Sequence, residues 1–288
     1  MRNCSCKPGF WKIRRIQTQD SIVPRFGGFK TFFWLTIIRI IVTITFIILY
    51  IVGVRFEIKM AYIYLTEWSF TLLLVYLIFS SILSFMFLLK LKKSENPEEL
   101  LHPKVKEEAN IWYKLGLIIF QMAFTNAWLV TSFFWAFLAD KVKLFSCFLH
   151  GVNVVPPTVD LFFNQATFPK PHLLFSIIFD LIYLIPFYIY YSQTHEWVYD
   201  VLDVSQKYGL GYIFHLIAII LIILFFSFGG LLAWIRDRKH RSRISKEDSK
   251  SIDSSKNEIK MDDLKESDLE KGETKESDTK ETEIKIKI

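Results

Sequence analysis

Apolar runs long enough to cross a bilayer recur six times along this chain, and the polar positions inside them repeat at helical spacing. About 20 apolar residues in a helix cover about 30 Å, the thickness of the hydrocarbon layer. The first run covers 31–54 and is interrupted by Arg39. That side chain either snorkels to the near interface or pairs with a carboxylate inside the bundle. The second, 62–89, opens with YLTEWS and puts Thr66, Ser69, Leu73, Tyr76 and Ser80 on one face. The third, 111–138, repeats Gln121, Thr125, Trp128, Ser132 and Trp135, beside Asn126 and Thr131. The fifth, 172–192, carries Asp180, Tyr183, Phe187 and Tyr190 on one side and Pro186 as a kink point. The sixth, 211–235, is apolar apart from His215.

The fourth run, 144–164, has the densest polar pattern. His150, Asn153, Pro157, Asp160 and Asn164 are separated by three and four residues, so they share one helical face while Phe, Leu and Val fill the others. An ionised group at the bilayer centre costs roughly 2.5–3.5 kcal/mol on insertion scales, so this stripe belongs against protein or a wet cavity. Two readings stand side by side. Polar stripes commonly hold helices together, and Pro156-Pro157 frees carbonyls that Asn or Thr satisfies. A neutral imidazole at His150 can equally act as a base in a desolvated pocket.

The fold expected is therefore all-α: a polytopic six-transmembrane-helix bundle over 31–236. It follows a basic N-terminal tail, 1–30, and precedes a basic juxtamembrane segment and disordered charged tail, 237–288. Composition agrees, with 52% hydrophobic and 17% aromatic residues in 288 and a mean hydropathy of +0.29. The tail is rich in Lys, Glu, Asp and Ser and too poor in apolar residues to fold alone. The segment 90–110 mixes Lys and Glu around two prolines and reads as a solvent loop. Residues 1–30 lack a signal peptide's apolar core and cleavage site, so the N-terminus is expected to stay intact.

The net charge of +6 gathers near the membrane borders, which reads as topology, not nucleic-acid binding. Lys and Arg crowd both terminal segments and the second-to-third loop, whereas the loops near Arg55, Lys141 and Lys207 hold few. Both termini are thus expected in the cytosol of a protein integral to the plasma membrane or an endomembrane. Cys4, Cys6 and Cys147 form no disulfide framework, and no His/Cys cluster has zinc spacing. Cys4 and Cys6 are palmitoylation candidates or plain reduced thiols. Neither a metal nor any other cofactor is expected, and the oligomeric state is open.

With that orientation, Thr66, His150 and His215 fall at similar depth, roughly 6–10 Å below the non-cytosolic surface at 1.5 Å per residue. Arg39, Asp160 and Asp180 fall in the other half and read as a structural charge network. A threonine hydroxyl needs a base to become a nucleophile, and acyl transfer needs donors for an oxyanion. Asn153, with Asn126 and His215 as lesser choices, suits that supporting role. No GxSxG, HExxH, histidine boxes or phosphate loop is present, so serine hydrolase, zinc protease, desaturase and ATPase each lose their signature.

In order and spacing, YLTEWS, TSFFWAFLAD, HGVNVVPPTVDLFFN and WVYDVLDV resemble the six-span family that includes rolling stone and the androgen-induced hydrolases of the FAR-17a type. In the hydrolase branch a membrane-embedded threonine and histidine cleave fatty acid esters of hydroxy fatty acids, and those positions match Thr66 and His150. The resemblance thus implies a lipid-ester hydrolase with a lipid substrate in the membrane. The alternative, from the rolling stone branch, is a non-enzymatic protein of adhesion, fusion or scaffolding. Glu67 after the threonine and the Pro156-Pro157 pair depart from the pattern.

Overall fold

The computed structural model describes residues 28–57, 63–101, 111–137, 150–199, 213 and 215–238, and all regular structure among them is helical. The N-terminal tail, the loops near Lys141 and Lys207, the cysteines and the tail beyond 238 lie outside the described residues. The helices are α1 (Phe29–Glu57), α2 (Leu65–Lys93), α3 (Pro97–Leu101), α4 (Ile111–Phe137), α5 (Val155–Phe163), α6 (Leu173–Thr194) and α7 (His215–Arg238). Five of these, α1, α2, α4, α6 and α7, are long and apolar enough to cross a membrane. This is the architecture of a multi-pass integral membrane protein.

The helices expose apolar side chains and bury polar ones among an apolar core. Along α1, Trp34, Ile38, Ile41, Ile44, Ile48 and Ile51 are exposed, while Phe32, Thr36, Arg39, Thr43 and Phe46 are buried on the opposite face. An exposed isoleucine ridge costs nothing against acyl chains. With no hydrophobic drive between helices in lipid, close packing and interhelical polar contacts must hold the bundle. Helix α2 is central and packs along both α1 and α4. Phe46 and Tyr50 of α1 stack on Phe70 of α2, and Tyr76 tilts against Phe120 of α4. Gly229 of α7 lets Phe168 pass so closely that a Cβ there would lie 2.5 Å from the ring.

Two expectations need correction. The fourth run is not one continuous helix. A helical turn at 150–152 gives way to a turn at Asn153-Val154, and α5 starts afresh with prolines in its first positions. The physical reason is that Pro156 and Pro157 have no N–H to give to the carbonyls four residues back, yet fit the start of a helix, where amides go unused. The nine residues of α5 cover about 14 Å, too little to cross a bilayer alone. The second correction concerns 90–110. There α2 continues to Lys93, and the short α3 buries Leu101 against a cluster containing Phe32, Phe87 and Leu91. The Leu100-Leu101 pair supplies the apolar contact that a window rich in Lys and Glu hides.

The chain divides into two compact units, Met1–Trp234 and Ile235–Ile288. The polar features described next lie in the first. In the second, Arg236 Nε donates to Asp237 Oδ1 at 2.9 Å.

Candidate functional site

Polar groups gather in two places. One is an ion pair joining α1, α2 and α5. Arg39 donates through Nε and Nη2 to Asp160 Oδ1 at 3.0 and 2.7 Å, and through Nη1 to Ser84 Oγ at 2.7 Å. The Tyr76 hydroxyl donates to the other Asp160 oxygen. Thr43 closes the knot, with its Oγ1 2.7 Å from the Arg39 carbonyl and 2.8 Å from Ser81 Oγ. Arg39 therefore takes the inward of its two open readings and pairs with one of the two candidate carboxylates.

The other is a cavity of about 120 Å³, far above the roughly 10–15 Å³ that admits one water. It lies among the start of α2, α4, α6, the segment after α6 and α7. Its wall is mostly Leu, Ile, Val and Phe, with Thr66, Asp180, Tyr183, Tyr199 and His215 as the polar exceptions. Among the described residues Asp180 is the one acidic residue in that wall, and none is a Lys or Arg.

Local structure explains how Tyr199 arrives there. Helix α6 ends at His195, whose φ of 59° lies in the left-handed region that histidine visits more readily than most side chains. The chain turns back, so that Trp197 stacks on Tyr191 at 3.9 Å. The Leu65 amide donates to the Tyr199 hydroxyl at 3.2 Å. Thr66 and Tyr183 lie within hydrogen-bonding reach of the same hydroxyl. Burial pushes Tyr199 up to about 12, so at neutral pH it keeps its proton. Tyr183 also donates to the Ile63 carbonyl at 2.8 Å. That bond ties the start of α2 to the middle of α6.

The residues singled out in the sequence distribute as follows. Thr66 and His215 line the cavity together. His215 Nε2 lies 3.4 Å from the Tyr188 hydroxyl, and its ring stacks on Tyr188. His150 is not among the lining residues. Its ring stacks on Phe134, which is one, with centroids 3.7 Å apart, and its Nδ1 is buried without a partner. Thr131 holds the His150 carbonyl at 2.6 Å. Asn153 is buried at the helix break, with neither its Oδ1 nor its Nδ2 bonded. Asn126 donates to the Met122 carbonyl of its own helix at 3.1 Å, leaving Oδ1 unbonded. Neither asparagine lines the cavity.

Asp180 is the residue that sequence reasoning misplaced. Depth along the helices groups it with Arg39, yet it lines the cavity with Thr66, and both its carboxyl oxygens are buried without a hydrogen-bond partner. The signal was present: Asp180, Tyr183 and Phe187, at spacings of three and four, all face the cavity. Tyr199 lies in the WVYDVLDV motif, but nothing in that motif marks it as a cavity residue. Comparison with protein-family models, curated proteins and solved structures finds no match for this chain. Among the described residues no cluster of His, Cys, Asp or Glu is arranged to hold a metal.

Proposed function

We propose that the protein is an intramembrane lipid-ester hydrolase with Thr66 as nucleophile and an imidazole as base, the activity implied by its resemblance to the androgen-induced hydrolases. What supports this reading is the position of Thr66, a hydroxyl on the wall of an apolar cavity that it shares with the imidazole of His215 and the phenol of Tyr199. The acyl segment of a lipid lies along the Leu and Ile wall. The imidazole removes the Thr66 proton as Oγ1 attacks the ester carbonyl, and the Tyr199 hydroxyl, within hydrogen-bonding reach of Thr66, is a donor for the oxyanion. Collapse expels the alcohol, which takes the proton from the imidazolium, and water then releases the acid from the threonine ester.

The resemblance gives the base role to His150, and the cavity offers His215 as well. Turnover of 4-methylumbelliferyl decanoate by the full chain in nanodiscs separates them. Thr66→Val is expected to lower the rate by about 10²–10⁴-fold, the usual worth of such a group, while Thr66→Ser retains part of it. Of His150→Gln and His215→Gln, the base is the one whose loss matches that of Thr66→Val, with little further loss in the double variant. If Thr66→Val turns over ester at the parent rate, the hydrolase reading falls and the non-enzymatic one takes its place.

A further inference from the structure

Asp180 has no role in that reaction, and its surroundings are unusual for a carboxyl. Both oxygens are buried and neither has a hydrogen-bond partner. Among the described residues the wall around it contains no Lys or Arg, and the buried Arg39 is engaged with Asp160 and Ser84. An ionised carboxylate without a counter-charge is among the costliest groups to bury, whereas an ammonium placed beside it forms a neutral pair. A second feature points to the same ligand chemistry. Five aromatic residues, Phe133, Phe134, Tyr183, Phe187 and Tyr199, share the wall with Asp180, and aromatic faces attract ammonium groups through the ring quadrupole. Apart from Thr66 and His215, the rest of the wall is aliphatic and suits an alkyl chain.

We infer that the cavity binds a single-chain cationic amphiphile, with its ammonium head against Asp180 and the aromatic rings and its alkyl chain along the aliphatic wall. The inference uses the cavity of the proposed reaction but not its chemistry. Where both hold, it changes the substrate class, since esters of hydroxy fatty acids end in a carboxylate, for which the described residues of this wall offer no Lys or Arg.

The test compares decylamine, decanol and decanoate, three ligands of one chain length, by their half-saturation of the thermal shift of the purified full chain in nanodiscs at neutral pH. Decylamine is expected to half-saturate at about tenfold or more lower concentration than decanol, the scale of a desolvated cation–π contact, with decanoate weakest. Asp180→Asn is expected to erase the preference for decylamine while leaving the decanol response and the unliganded melting temperature in place. Thr66→Val is expected to keep the preference, so that failure of the hydrolase reading is told apart from failure of this one. Equal half-saturation by amine and alcohol, tighter binding of decanoate, no response to any of the three, or an amine preference that survives Asp180→Asn would each overturn the inference.

Discussion

Asp160 on α5 and Asp180 on α6 are both carboxylates with buried oxygens inside one helical bundle, and their surroundings are opposite. Asp160 accepts from Arg39 and Tyr76 and is held on both oxygens. Asp180 is held on neither. In lipid, where no hydrophobic force draws helices together, the first arrangement does structural work by fixing α5 against α1 and α2 at one register. The second provides no such contact. It places an uncompensated acid in an apolar wall, where a ligand can supply the missing partner. A buried polar group informs about function through what it lacks, and the two aspartates become distinguishable only when their partners are counted.

The largest effect is expected on the satisfied side. Arg39→Ala leaves Asp160 buried with its cation gone and should cost about 3–5 kcal/mol of stability, read as a fall in melting temperature. The double variant Arg39→Met/Asp160→Leu removes both charges and should recover most of that loss. A smaller loss is expected at Gln121, whose amide bridges the Thr167 carbonyl and His172 Nδ1 and pins the segment between α5 and α6. Gln121→Leu should cost about 1–3 kcal/mol by the same measurement, because buried groups are left unpaired. The smallest effect is expected at Asp180. Asp180→Asn should change unliganded stability by less than about 1 kcal/mol in either direction, since it breaks no bond.

The five long helices were legible because an apolar run of sufficient length has one simple use in lipid. The inward stripe of the fourth run was legible too: Asn153, Pro157, Asp160 and Asn164 are all buried, and a period of three and four needs no tertiary information. The break at Asn153-Val154 was not. Pro156-Pro157 fits either a kink in one helix or the first turn of a new one, and sequence alone does not choose between them. The same limit applied to Asp180. Counting depth from helix ends assumes that every span starts at one plane, but the Tyr183–Ile63 bond ties the start of α2 to the middle of α6. Thr66 and Asp180 therefore meet on one wall although the count put them in opposite halves. Tyr199 reaches Leu65 across 134 positions of sequence, a contact no local pattern encodes.

Side-by-side thermal unfolding of Asp160→Asn and Asp180→Asn in the same nanodiscs tests the contrast between the two carboxyl groups most directly, since both exchanges are isosteric and replace a carboxyl with an amide. The account predicts a fall of several degrees for Asp160→Asn and an unchanged or slightly raised midpoint for Asp180→Asn. A fall at Asp180 equal to that at Asp160 would contradict it, showing that Asp180 is bound into the fold as firmly as its neighbour.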